Sequence, residues 1–391
     1  MHLTRLSLTN IRTYERLELE LERGIHVIAG ENASGKSNLL DAVAMLATTR
    51  SQRGGHDIDL IRWQALRDET LPGGRIVGEI DKRDGQTTLE IAVVASENDS
   101  DANRRTSRRF RVNAVARRAS DLIGQLRVVM FSAEDLTIIS GSPSGRRRYL
   151  DLTISQFDPT YVRASQRYSR VLQQRNSLLR RLREHHGSLD ELDFWDDELT
   201  TAGSVIFQAR AATLTRLGQD AAIRYPTLGS PNEKLSVRYK PALPVALIQN
   251  VPRDEFESDF RSAIEEGRQQ DVWKGGTQIG PHRDDIEFQI SGRDAAVSAS
   301  RGQQRTAALA LRLSEVALSR EITGDPPVLL LDDMLSELDA NHRKRVIETA
   351  YEVDQVLITT PDFDRPTASE LPDAIRYRLV MGTLNRAEES L

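Results

Sequence analysis

Gly30-Glu31-Asn32-Ala33-Ser34-Gly35-Lys36-Ser37 follows the apolar run 25–29 and leads into a second apolar stretch, 39–46. The octet fits G-x-x-x-x-G-K-[ST] at every position. That spacing wraps successive backbone N–H groups around a phosphate, brings a lysine to the outer phosphates and places a hydroxyl beside a divalent cation. Strand, loop, helix is the context the device requires. An α/β domain built round a phosphate loop is therefore expected, with Asn38 at the start of the helix extending the nucleotide-binding set.

A carboxylate partner stands far downstream. Pro327-Val328-Leu329-Leu330-Leu331-Asp332-Asp333 reads as an apolar strand ending in acid, the way phosphate-loop proteins place a carboxylate next to the metal. Asp332 is expected to share Mg²⁺ with Ser37. Asp333 is expected to orient or deprotonate the attacking water. Many ATPases of this layout carry Glu at the second acidic position, and Asp is one methylene shorter, so slow hydrolysis of ATP is predicted.

Ser300-Arg301-Gly302-Gln303-Gln304 immediately precedes a helical pattern. A serine hydroxyl, a glycine amide and a helix N-terminus make a second anion site in one chain. One nucleotide rarely needs two phosphate cradles from one subunit. Ser300, Gly302 and Gln303 are thus expected to close on the γ-phosphate held by another copy, with Ser336-Glu337-Leu338-Asp339 where the copies meet.

The rest of the chain fits an α/β frame interrupted once. Leu3, Leu6 and Leu8, then Leu17, Leu19 and Leu21, alternate with polar residues in the manner of half-buried strands, and 75–80, 87–94, 108–112 and 126–131 also read as strands. Between 159 and 226 the period becomes helical, through Tyr161, Tyr168, Val171, Leu178 and Leu182, then Leu192, Leu199, Ile206 and Ala209. Two helices joined near Gly187 give an antiparallel hairpin, either a packed subdomain or a short projecting coiled-coil arm. After it, 286–290, 328–331 and 356–359 read as strands and 303–320 and 341–351 as helices. Flexible stretches are expected at 96–106 and beyond 383.

Composition sets outer bounds. The chain has 391 residues and a formal charge of −5, and of its 53 cations only six are Lys and 47 are Arg. Such a chain is no globally basic coat for nucleic acid; any such contact needs a local patch. Cysteine is absent, excluding disulfides, thiolate metal sites and cysteine nucleophiles. No apolar run reaches a bilayer-spanning length and the first ten residues lack a signal-peptide layout, so a cytoplasmic protein without membrane association is expected.

Taken in order, the phosphate loop, Ser300-to-Gln303, Asp332-Asp333 and Ser336-to-Asp339 resemble the ABC-type ATPase heads of the SMC group. Within it the chain resembles the RecF family, through Leu8-to-Tyr14, Phe131-to-Leu136, Gly141-to-Asp151, Gly280-to-Asp285 and Leu331-to-Asp339. The family usually has Gly where Ala33 stands and Pro where Ala133 stands. The resemblance implies an ABC-ATPase-like head with a mixed sheet and an inserted α-helical lobe: head residues 1–135, lobe 136–227, and the returning head 228–391 with the signature and acidic motifs. It implies an ATP-dependent homodimer that binds double-stranded DNA near single-stranded junctions and helps RecR and RecO load the RecA recombinase in repair, replication and the SOS response. It also places Arg12 near the adenine or α-phosphate.

Arginine clusters are the candidate DNA contacts: Arg104, Arg105, Arg108, Arg109, Arg111, Arg117 and Arg118 uninterrupted by acid, then Arg146, Arg147 and Arg148, then Arg180, Arg181 and Arg183. They read equally as solvated or internally paired cations. No aromatics interleave, which favours backbone contact to duplex over base stacking. His282-Arg283-Asp284-Asp285 reads either as a metal or catalytic group or as packing at a junction. An ABC-type ATPase subunit of another assembly, transporter-like or SMC-like, shares the main motifs and is the alternative; a nuclease would need a second acid cluster that the sequence does not offer.

Overall fold

The structure, a computed structural model, describes residues 1–96, 105–243, 253–363 and 370–387. Arg104, most of the expected flexible stretch and the last four residues lie outside them. The chain divides into two compact units, Met1–Asp135 with Glu315–Leu391, and Leu136–Ser314.

The first unit holds two sheets. One is wholly antiparallel, in the order β2 (Tyr14–Glu20), β1 (His2–Ile11), β4 (Gly73–Lys82), β5 (Gly85–Ala95), β6 (Thr106–Val112), β7 (Val115–Arg117). Alternation of buried and outward residues, regular in β5 from Thr88 and interrupted in β1 by an irregularity between Leu3 and Arg5, gives it one apolar face. The other sheet orders β15 (Thr383–Arg386), β14 (Ile375–Val380), β3 (Gly24–Ala29), β13 (Gln355–Thr360), β12 (Val328–Asp332), β8 (Val128–Ser132), parallel except for β15. Its inner strands are nearly all buried, as strands covered on both faces are. Helix α1 (Lys36–Thr48) lies in the core between them: Leu39, Leu40, Val43 and Leu46 are inaccessible and join Leu3, Leu6, Ile76, Ile91, Leu330 and Leu357 in one cluster. The segment beyond 383, expected to be flexible, begins with β15, which pairs through Leu379 and Leu384.

The second unit contains α2 (Pro143–Ser155), the hairpin α3 (Pro159–Arg183) and α4 (Leu192–Leu228), then α5 (Arg253–Lys274) and a sheet β9 (Leu235–Lys240), β10 (Asp285–Ile290), β11 (Arg293–Asp294). Asp158 caps α3 through two backbone N–H groups, and α4 continues two residues past Pro226. The unit reaches Ser314, well beyond the lobe boundary expected at 227. Two contacts explain the extension. Gly218 of α4 abuts Val237 of β9, where an added Cβ would sit 3.1 Å from the valine, and Phe207 of α4 meets Phe260 of α5 edge-on at 5.2 Å. The Ser300 segment therefore belongs to this unit. From there α6 (Arg301–Thr323) runs on, and α7 (Ala340–Ala350) follows β12 in the first unit.

The hairpin is packed and not a free arm. Arg175 of α3 is fully buried and donates to Asp196 of α4 (2.6 Å), Asp271 of α5 (2.6 Å) and Thr277 (2.8 Å), pinning three helices together.

Candidate nucleotide site

β3 ends at Ala29 between β13 and β14, and the phosphate loop leaves from its carboxyl end. The loop's tight path has identifiable causes. Gly30 cannot carry a side chain, since its Cβ would lie 2.6 Å from the Leu379 carbonyl. Gly35 holds φ 111, where a Cβ would also strike Thr13. Ala33 sits at φ 67, a left-handed conformation that costs a residue with a Cβ about 1–2 kcal/mol. The usual family glycine would adopt it freely. We expect Ala33→Gly to leave ATP affinity unchanged or a few-fold tighter, and Ala33→Val, β-branched at that backbone, to weaken it roughly tenfold, both read by equilibrium titration with a fluorescent ATP analogue.

The turn between β1 and β2 is fastened to the loop. The Tyr14 hydroxyl donates to the Gly35 carbonyl (2.9 Å), and Asn38 donates to Thr13 Oγ1 (3.2 Å) while accepting from Arg53 (3.0 Å). Arg12 reaches α1, donating to Asp41 (3.2 Å) and Ser51 (3.1 Å), with its Nε buried and unpartnered. Asn38 and Arg12, expected as nucleotide contacts, are thus also struts between turn and helix.

Lys36 is buried, its ammonium donating to the carbonyls of Gly30 (2.6 Å) and Glu31 (3.0 Å). Burial pulls its pKa down, opposed by the charges of Asp333 and Asp332. The Ser37 hydroxyl donates to Asp332 Oδ1 (2.8 Å) across 295 residues of sequence. Thr359, opposite Asp332 in the β12–β13 ladder, donates to the same oxygen (2.9 Å) and accepts from the Asp333 N–H (2.9 Å). Asp333 takes φ 49, and Ser336 donates to its carbonyl (3.0 Å).

These residues suit a nucleotide with its metal. Ser34 keeps a buried hydroxyl oxygen with no partner in the loop, and the first N–H groups of α1 lack helical acceptors by construction. The Ser37 hydroxyl and Asp332 carboxylate are oxygen donors of the kind Mg²⁺ takes. The sequence reading missed Thr359, Tyr14 and Asp41. A threonine pair, Thr359-Thr360, closing an otherwise apolar strand was a readable signal for the first.

Ser300 and Gln303 form a reciprocal cap on α6. Gln303 N–H donates to Ser300 Oγ (3.2 Å), and Ser300 N–H donates to Gln303 Oε1 (2.8 Å). Gln303 Nε2 donates to Glu233 (2.7 Å), so its side chain is committed within its own unit, while Ser300 and Gly302 are exposed. Gln303 thereby supports the helix start on which Ser300 and Gly302 stand.

The arginine clusters divide. Arg108 grips Asp57 with two donors and the Thr49 carbonyl with a third, at 2.6 Å. Arg146 is buried on Asp285 (2.7 Å) and the Gly141 carbonyl (2.7 Å), and Arg147 donates to the Asp284 carbonyl (2.5 Å). Arg108 and Arg146 thus act as internal braces, each with its guanidinium engaged within its own unit. Arg105, Arg109 and Arg148 are exposed. Asp284, in the group with metal-like composition, is buried beneath Arg210 (3.1 Å), Tyr239 and the Ala242 N–H (2.8 Å). Its neighbour His282 binds Tyr168 (2.7 Å), and burial holds its imidazole neutral, the pKa down to about 4.

A family profile described as "RecF/RecN/SMC N terminal domain" matches residues 2–376. The chain is 41% identical over 396 residues to a "DNA replication and repair protein RecF" of Roseiflexus castenholzii, covering 98% of this chain and 99% of that one. It is 42% identical over 391 residues to the protein so described in Herpetosiphon aurantiacus, with 98% and 99% coverage. A solved "Structure of the recombination mediator protein RecF-ATP in RecFOR pathway" superposes with a TM-score of 0.86 at 30% identity, over 99% of this chain and 98% of that one. An Smc head from Pyrococcus furiosus, TM-score 0.53 and 14% identical over 99% and 96% of the two chains, shares the fold.

Proposed function

Since this chain belongs to the RecF family of DNA replication and repair proteins, we propose that it binds ATP with Mg²⁺ on the loop 30–37 and uses it to close two copies head to head on DNA. Family membership sets aside the transporter-type alternative. The observation that carries the nucleotide reading is the Ser37–Asp332 hydrogen bond, which joins the foot of the loop to the acidic strand end.

Roles follow from chemistry. Lys36 supplies a cation whose hydration is already removed, so it pairs strongly with phosphate oxygen. Ser37 and Asp332 would hold Mg²⁺, which when bound neutralises phosphate charge. Asp333 would orient the attacking water. Ser300 Oγ accepts a hydrogen bond from its own helix, which leaves its proton to donate to the γ-phosphate held by a second copy, with the Gly302 N–H beside it. ATP then acts as a switch, because that contact exists only in the closed pair. We propose further that the closed pair holds double-stranded DNA beside single-stranded gaps, works with RecR and RecO in loading RecA in the cytoplasm, and opens after slow hydrolysis. Among the described residues, no helix is long and apolar enough to cross a membrane.

Molar mass by light scattering tests the switch. With Mg²⁺, the mass is expected to double with ATP and not with ADP or without nucleotide, and Ser300→Arg is expected to stay monomeric while still binding ATP. A mass indifferent to ATP in a protein that binds it would sink the gated pair.

A further inference from the structure

Helix α3 (Pro159–Arg183) spans 25 residues, holds seven arginines and contains no acid. In a chain where acids outnumber cations 58 to 53, a merely solvated helix face is expected to mix the signs. Arg175 is spent inside the unit. The outward positions 163, 167, 170, 174, 177 and 181 recur at spacings of four and three, which align on one narrow stripe of a helix, and all six are exposed. Arg167 is paired with Glu198 (2.6 Å) and Arg181 with Glu191 (3.2 Å). Arg163 donates only to Thr160 Oγ1 (3.2 Å), Arg170 to the Gln166 carbonyl (3.3 Å), and Arg180, beside the stripe, to the Asn176 carbonyl (3.1 Å). Among the described residues none of these three meets a carboxylate.

We propose that this face of α3 is a duplex-DNA surface, with Arg163, Arg170 and Arg180 contacting backbone phosphates. The inference rests on the reading that this chain binds double-stranded DNA, and it assigns that binding to the helical unit. The stripe from 163 to 181 rises about 27 Å, somewhat under one turn of duplex at about 34–36 Å. Its neutral members, Gln174 and Ser177, are hydrogen-bonding residues that bring no repulsive charge. It carries no aromatic side chain, so it offers a single strand no base-stacking platform and recognises phosphate alone.

The test is a salt titration of anisotropy for a labelled duplex of about three helical turns, with ATP and Mg²⁺, between about 50 and 200 mM salt. In the triple variant Arg163→Gln, Arg170→Gln, Arg180→Gln, losing three phosphate contacts is expected to make the slope of log K against log salt shallower by about 2.7. Affinity at the lower salt is expected to fall at least roughly tenfold. The three Lys replacements are expected to restore most of the slope, since a point charge also neutralises phosphate. ATP-dependent mass doubling serves as the fold control. A duplex bound by the wild type with an unchanged slope in the Gln variant overturns this inference alone. A wild type that binds no duplex overturns the DNA reading and this inference with it. Binding of a polyglutamate peptide as tight as that of duplex, lost in the same variant, would overturn it in favour of an acidic protein partner.

Discussion

Replacing Asp332 by Asn is expected to abolish ATP hydrolysis while leaving the first unit folded. Asparagine keeps a carbonyl oxygen at Oδ1, so Ser37 (2.8 Å) and Thr359 (2.9 Å) can still donate to it. The negative charge is lost, and the second carboxylate oxygen is exchanged for an amide NH₂. That charge is the proposed Mg²⁺ ligand and one of two that oppose the lowering of the Lys36 pKa by burial. Losing both effects is expected to lower turnover by about 10³-fold, equivalent to about 4 kcal/mol of transition-state stabilisation. The melting temperature without nucleotide is expected to stay within a few degrees, because the polar network remains satisfied. Turnover within tenfold of wild type would remove Asp332 from the metal site. Phosphate release by coupled assay and a thermal melt on the same preparation decide it.

Arg175→Met has the largest expected effect on stability. The substitution fits an apolar chain of similar length into the site but leaves Asp196 and Asp271 facing each other's helices with no shared cation. Arg268 still reaches Asp196 (2.7 Å), whereas Asp271 keeps only the Gln278 N–H (2.9 Å) among the bonds described at its carboxylate. Breaking a buried pair from one side costs about 3–5 kcal/mol, a large share of a domain's stability. The loss has a pH signature. Burial already raises the Asp271 pKa, with Arg175 opposing the shift. A group raised in the fold contributes stability that is full below its ordinary carboxylate value and lost as pH rises through its folded value. Without Arg175 the rise is larger, so the deficit is expected to be greatest at neutral and alkaline pH and to shrink as pH falls toward the ordinary carboxylate range. Urea melts followed by helical ellipticity across that range check it; a pH-independent deficit would show that packing, not charge, is what the arginine provides.

Much of the nucleotide site was legible because its parts are local patterns. The loop octet and the apolar run into Asp332 each need only neighbours in sequence to be read, and the structure joins them through one hydrogen bond. What escaped was set by tertiary contact. Thr359 looked like the end of one more buried strand, and only the register with Asp332 gives its hydroxyl two partners. Arg108 and Arg146 could not be told from solvated cations because their acids, Asp57 and Asp285, lie 51 and 139 residues away. The fold was readable where period and length agreed, as in α3 and α4. Helix α5 went unread although Phe256, Phe260, Ala263 and Ile264 repeat at helical spacing and are buried. The second unit's extension to Ser314 had no local mark at all, since it depends on Val237 meeting Gly218 and on three phenylalanine rings from two helices.

The left-handed bend at Asp333 bears on timing. Aspartate and asparagine enter that backbone region several-fold more readily than most residues with a side chain, and glutamate has no such advantage. A longer acid here would gain reach toward a water and lose ease in the turn that Ser336 and Thr359 stabilise. The bend therefore works against a longer acid at this position. If the interval for which two copies stay closed is governed by this carboxylate, the clock of the switch is set as much by the shape of the main chain as by the acid it carries.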